Sequence, residues 1–134
     1  MGMFDNYDNE KNIPCNVHEY LIVPEENYII EGATCYNTFK LLFKYDDSMQ
    51  ISITYYQEER LTLTKENSDL YIVKLEDSFI VKCRLSSEET FKFANTNLDT
   101  YAQVRVVVDN KIIFGKKSRI RVIETIEEKQ DGQQ

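Results

Sequence analysis

The sequence of 134 residues contains no tryptophan, two prolines, four glycines, one histidine and three cysteines. Each scarcity removes a class of explanation. So few prolines and glycines exclude a collagen-like repeat and a flexible-linker composition, and the scattered glycines supply no phosphate-cradling loop. The single histidine, His18, has no second histidine with which to share a metal, and no Ser-His or Cys-His pattern forms around it, so it reads as a surface histidine. Cys15, Cys35 and Cys83 stand 20 and 48 residues apart, unlike the close pairs of zinc ligands. An odd number cannot pair completely within one chain, and the simplest expectation is reduced thiols in a protein made in the cytoplasm. No stretch approaches the ~18 uninterrupted apolar residues of a membrane-spanning helix. The start, Met1-Gly2-Met3-Phe4-Asp5, lacks the basic and apolar regions of a signal peptide.

Positive charge is also short. Sixteen Lys and Arg stand against 23 Asp and Glu, a formal net charge of −7. A generic nucleic-acid binder needs clustered cations to displace counterions from phosphates, so no nucleic-acid partner is expected. The same balance speaks against an anionic membrane surface and favours solubility.

What remains is a globular composition. Apolar residues make up 42% of the chain, with nine Tyr and seven Phe, a set weighted to the β-branched and aromatic types that suit a pleated surface. Residues 1–17 carry little apolar bulk and read as an N-terminal arm. Phe4, Tyr7 and Ile13 are its candidate anchors on a neighbouring subunit, the alternative being a solvated terminus. Residues 127–134 read as a polar tail, which leaves one domain over 18–126.

Within that domain the period is two. Tyr20-Leu21-Ile22-Val23 is an apolar run stopped by Pro24, and Tyr28-Ile29-Ile30 a second run stopped by Glu31-Gly32. Asn37, Phe39, Leu41, Phe43 and Tyr45 share a face, as do Met49, Ile51, Ile53 and Tyr55. With the Asp46-Asp47-Ser48 turn signal between them, 38–56 reads as a hairpin. Leu61 and Leu63 alternate with Thr62 and Thr64. After the turn at Asn67-Ser68-Asp69, Tyr71, Val73 and Leu75 share a face. Phe79, Val81, Cys83 and Leu85 form a clean strand that puts Cys83 on the apolar side as an inert thiol.

Ser86 and Glu89 have the spacing of a capping box, which predicts a helical turn near 87–93 holding Phe91 or Phe93 against the sheets. Ala94–Asn97 reads as a loop. Ala102, Val104, Val106 and Val108 then alternate up to a turn at Asp109-Asn110. Ile112-Ile113-Phe114, a turn or bulge at Gly115-Lys116-Lys117, and a last strand on Ile120 and Val122 follow. Short alternating strands with regular turns indicate an all-β fold. The expected form is an antiparallel Ig-like β-sandwich, with an open β-barrel as the alternative.

No catalytic constellation emerges, and no enzyme, metal site or cofactor is expected. The carboxylate pairs, among them Glu25-Glu26, Asp46-Asp47, Glu58-Glu59 and Glu76-Asp77, lie in or beside turns and lack the alternating oxygens of a calcium loop. Tyr36 and Tyr55-Tyr56 are candidates for a sugar-stacking platform, although one of two adjacent strand tyrosines ordinarily faces the core.

Four segments carry a resemblance: Ile53-Thr54-Tyr55-Tyr56-Gln57, Leu85 through Phe93, Ala102-Gln103-Val104-Arg105-Val106, and Ser118-Arg119-Ile120-Arg121-Val122. Over residues 51–126 the chain resembles small β-sandwich proteins encoded among tail-associated genes of phages and prophages of Gram-positive gut bacteria, similar to the N-terminal domain of baseplate upper proteins. That resemblance implies a non-enzymatic virion structural or adaptor protein, associated with tail or baseplate. It would be made in the host cytoplasm and then contact other virion proteins and itself. The alternative is a carbohydrate- or host-receptor-binding module.

Overall fold

Alternation translates directly into two faces per strand. The computed structural model describes residues 21–58, 60–93 and 98–125, so the arm with Phe4, Tyr7 and Ile13, His18, Cys15 and the tail from 127 lie outside the described residues. The strands are β1 (Ile22–Pro24), β2 (Tyr28–Ile30), β3 (Cys35–Leu41), β4 (Gln50–Gln57), β5 (Leu61–Glu66), β6 (Leu70–Lys74), β7 (Phe79–Leu85), β8 (Thr100–Val108), β9 (Lys111–Phe114) and β10 (Ser118–Ile123). A helix, α1 (Ser87–Lys92), lies between β7 and β8, and a 3-10 turn (Asn67–Asp69) between β5 and β6.

The strands form two sheets. One has the order β1-β3-β7-β6; the other has the order β2-β10-β8-β4-β5, with β9 also on β8. With β1, β3, β4, β5, β6, β7 and β8 lettered A, B, C, C′, D, E and F, and β9 with β10 as G, these are the ABED sheet and the GFC sheet extended by C′ of an immunoglobulin-type sandwich, with β2 added beside β10. All pairings are antiparallel except β10 with β2, which run parallel. β9 and β10 both pair with β8, at its far and near ends, so Gly115-Lys116-Lys117 interrupts what is otherwise one closing strand. The two described cysteines are free: Cys35 and Cys83 lie on adjacent strands of one sheet, and no disulfide joins the sheets among the described residues. Tyr55 fills the middle of the core on strand C, in a chain without tryptophan.

Residues 38–56 are not a hairpin. β3 pairs with β1 and β7, whereas β4 pairs with β5 and β8 in the opposite sheet. Alternation reports which face of a strand is buried, not which strand lies beside it. The break is at Leu42, where the apolar side chain turns outward. Phe43 and Tyr45 then leave the ladder and pack edge-on against Phe79, at centroid distances of 5.6 and 5.2 Å, as the chain crosses the sandwich. Asp46 closes the crossing by accepting from the Ser48 amide and hydroxyl, both at 2.7 Å.

On β6 the expected face is present. Tyr71, Val73 and Leu75 do share a face, but it is the outer one, and Leu70 and Ile72 point to the core instead. On β5 the inward period runs Leu61, Leu63 and then Lys65, a cation at an apolar position. The other faces match the pattern: Phe39 and Leu41, Ile51, Ile53 and Tyr55, Phe79, Val81, Cys83 and Leu85, and Ala102, Val104 and Val106 are buried together with Phe93.

The capping box at the start of α1 is present as expected. The Ser86 hydroxyl accepts from the Glu89 amide at 3.1 Å, and Glu89 Oε1 accepts from the Ser86 amide at 2.9 Å. Thr90 ties the helix to the β2–β3 connection by donating to the Ala33 carbonyl at 2.8 Å. The result holds Phe93 edge-on to Tyr55 at 6.2 Å, while Phe91 faces outward.

Buried amides join the layers. Asn37 on β3 accepts from the Tyr28 amide of β2 at 3.0 Å and donates to the Tyr55 hydroxyl of β4 at 3.1 Å, so one side chain bridges both sheets. Gln57, fully buried, donates to the Phe93 carbonyl and to the Thr100 hydroxyl at 3.2 and 3.0 Å, linking β4 to α1 and β8. These bonds satisfy polar groups that burial would otherwise penalise.

Candidate binding surface

Strand alternation sorts charge as well as apolarity. The outer face of the six-stranded sheet carries Arg105, Arg119 and Arg121 together with Lys117, with Glu66 in the row of Arg105, and the outer face of the other sheet carries Lys40, Lys82 and Arg84. The described acidic pairs stand in turns or bends, or in the first turn of α1, and are exposed. The exception is Glu89, which turns inward to Lys65. A chain of net charge −7 therefore presents locally basic sheet faces between acidic ends.

On the six-stranded sheet the register places Tyr56 of β4 directly opposite Tyr101 of β8, and Tyr101 opposite Arg119 of β10. The next row is Thr64, Thr54 and Gln103. Tyr56, Tyr101, Thr54, Thr62, Gln103 and Lys117 line a hollow of about 230 Å³. Its parts are held. The Thr54 and Thr64 hydroxyls are hydrogen-bonded at 3.2 Å, and Gln103 donates from Nε2 to the Gly115 carbonyl at 2.9 Å. The Lys117 ammonium sits 4.5 Å from the Tyr101 ring centre. Arg119 pairs with Asp99 at 2.9 Å, and the Tyr101 hydroxyl lies 3.4 Å from the same carboxylate. Desolvation, joined by the Asp99 and Glu58 carboxylates, holds the Tyr101 hydroxyl above its ordinary range, so it stays a donor.

A larger hollow of about 370 Å³ lies on the same sheet at Gln50, Ser52, Glu66, Asn67 and Arg105, and one of about 330 Å³ lies by Asp99, Arg119 and Arg121. Neither is lined by an aromatic ring. The Asn67 side chain is occupied structurally in the first: it accepts from the Ile51 amide and donates to the Met49 carbonyl, at 2.6 and 3.2 Å.

The tyrosines singled out from the sequence separate. Tyr55 is buried in the core, Tyr56 stands on the outer face of the six-stranded sheet, and Tyr36 stands on the outer face of the four-stranded one. The structure instead brings Tyr56 together with Tyr101, a pairing that depends on β4–β8 register and has no local sequence signal. The second exposed feature is the β6 edge, where Tyr71, Val73 and Leu75 are 57, 38 and 45% exposed and Val73 lies beside Ile80 of β7.

Cys83 is no nucleophile. Burial pushes its thiol up to about 11, and the Tyr55 hydroxyl hydrogen-bonded to its sulfur only partly offsets that. Among the described residues no group of three or more His, Cys, Asp and Glu is placed to hold a metal ion, and no helix is long and apolar enough to cross a membrane. The sequence matches no protein-family profile and no curated relative.

Proposed function

We propose that this is a non-enzymatic structural or adaptor protein of a phage virion, tail- or baseplate-associated, that acts through subunit–subunit contacts. The observation carrying the contact role is β6. It ends the four-stranded sheet, and Tyr71, Val73 and Leu75 expose an apolar strip beside an edge that no other described strand pairs with. Edge strands offer unsatisfied backbone groups, and proteins that stay apart blunt them with charge, proline or short length. β1, the opposite edge, fits that description with three residues ending in Pro24. β6 has five residues, and Lys74 is its only charge. The virion setting comes from the resemblance over residues 51–126.

Light scattering on the full chain across a concentration series tests the contact role. The expected mass rises above the 15.8 kDa of one chain and returns to it in Val73→Lys, which charges the strip without touching the core. A protein that stays strictly monomeric at high concentration would count decisively against the proposal.

A second reading, a carbohydrate- or receptor-binding module, is favoured by one observation. Tyr56 and Tyr101 stand side by side on one face, flanked by hydroxyl and amide side chains.

A further inference from the structure

We infer that the hollow at Tyr56 and Tyr101 is a binding site for an acidic saccharide, one sugar ring lying against the tyrosines and its carboxylate meeting Lys117. The inference rests on the carbohydrate-binding reading and narrows its ligand class. Three features of the site argue for it.

The lining is amphipathic in the way a sugar is. Two aromatic rings offer an apolar surface to C–H groups, while Thr54, Thr62 and Gln103 offer hydroxyl and amide partners to the ring substituents. At about 230 Å³ the hollow lies below the ~300 Å³ at which drug-sized pockets begin, a scale suited to a single ring of a longer chain.

Its Lys117 cation favours an anion, against the Asp99 and Glu58 carboxylates beside the Tyr101 hydroxyl. Among the described residues Lys117 has the Tyr101 ring as its partner and no carboxylate within ion-pair distance. A ligand carboxylate would pair with an ammonium already held at the edge of the site. Arg119, one strand away, adds to the field, although Asp99 takes part of its charge.

The same charges argue against a second copy as the occupant. Both outer sheet faces carry an excess of cations, Arg105, Lys117, Arg119 and Arg121 against Glu66 on one and Lys40, Lys82 and Arg84 on the other, so stacking face on face sets mostly like charges together. A single-stranded nucleic acid shares the ring-and-cation chemistry. However, the formal charge of −7 and the acidic turns around the face oppose a polyanion long enough to cross them, and a short sugar acid does not meet them.

Calorimetric titration of the full chain tests this with three acidic oligosaccharides (oligogalacturonate, a hyaluronan fragment and sialyllactose), their neutral counterparts and oligo-dT. At least one acidic sugar is expected to bind about tenfold or more tighter than its neutral counterpart. Tyr101→Ala and Lys117→Gln should each weaken it by about tenfold, Lys117→Gln also removing most of its salt dependence. Both positions lie on the outer face, so circular dichroism and melting temperature should stay near wild type and report any loss of fold. Equal binding of the neutral sugars would overturn the acidic selectivity while leaving the carbohydrate reading standing. Binding of oligo-dT alone, or of nothing, would overturn both. Binding unmoved by Tyr101→Ala and Lys117→Gln would overturn the location.

Discussion

The Lys65 ammonium lies 2.9 Å from each carboxylate oxygen of Glu89, and the same carboxylate closes the capping box on Ser86. One group thus fixes the start of α1 and neutralises a cation at a core-facing position of β5. The side chains are 11 and 22% exposed, so the pair is largely shielded. Removing one partner of a fully buried pair costs ~3–5 kcal/mol, and residual exposure here lowers the expectation for Glu89→Gln to about 2–3 kcal/mol. Lys65→Met, which leaves the cap in place and adds apolar volume, should cost less. Urea midpoints of the two variants give the comparison, and equal losses would remove the special role of Glu89.

The same carboxyl predicts an acid dependence. Desolvation pushes its pKa up, but the Ser86 amide and the Lys65 ammonium outweigh it, and the folded value falls below the ordinary one. A depressed carboxyl stabilises the fold above its unfolded pKa, and that contribution disappears as the pH falls through the folded value. Wild type should therefore lose stability more steeply than Glu89→Gln below the ordinary carboxyl range. Parallel acid-side slopes in urea titrations at stepped pH would show that Glu89 carries no linkage.

Cys83 predicts the opposite edge. Its thiol is raised from 9.0 to about 11 by burial, so the folded state holds the proton more tightly than the unfolded chain. The stabilisation is complete below about 9 and is lost as pH rises through about 11. In a Cys15→Ser background, native protein should leave Cys35 and Cys83 unlabelled by a thiol reagent at neutral pH, and urea should expose both. Rapid labelling of either residue in the native state would contradict the packing described for β3 and β7.

Asp109 and Asn110 turn β8 into β9 with φ of 50° and 64°, both in the left-handed region, as a two-residue hairpin of mirror type requires. Glycine occupies that region without Cβ strain. Asn110→Gly is expected to raise stability by about 0.5–1 kcal/mol, and Asn110→Val to lower it by ~1–2 kcal/mol. Thermal melts read both, with a shift of a few degrees upward for the glycine variant. A fall in Asn110→Gly would mean that the asparagine side chain contributes more than its backbone strain costs.

How far the sequence could be read follows from the range of each signal. The faces of β3, β4, β7 and β8 were legible because period-two burial is local. So was the start of α1, since a capping box spans only four residues. The pairing of β3 with β7 rather than β4 was not, because partner choice is decided across the sandwich. Which face of β6 is buried was not legible for a related reason: both of its faces are apolar, and alternation cannot tell Leu70 and Ile72 from Tyr71 and Val73. Lys65 stood at an inward position that composition alone would reject, and only its distant partner Glu89 explains it. The Tyr56–Tyr101 pair was hidden for the same reason as the hairpin error, since 45 residues separate two side chains that the sheet sets opposite each other.

Gly115 joins the closing strand to the first one. Its amide donates to the Val104 carbonyl and its carbonyl accepts from Gln103, both at 2.9 Å, so its position is fixed from two sides. A Cβ there would stand 3.1 Å from both Cβ and Cγ2 of Ile22 and 3.3 Å from Cδ1. Ile22 has little room to retreat, because it is buried and its strand is laddered onto β3 opposite Leu41. Gly115→Ala should therefore cost about 1–2 kcal/mol through overpacking. Trimming Ile22 to alanine removes Cγ2 and Cδ1 and leaves a cavity costing ~2–5 kcal/mol by itself. In the double variant the added methyl occupies part of that cavity, so its loss should be smaller than the sum of the two single losses, by about 0.5 kcal/mol or more in a urea-midpoint cycle. Strict additivity would show that β1 shifts to admit the methyl group and that Gly115 is not kept small by contact with Ile22.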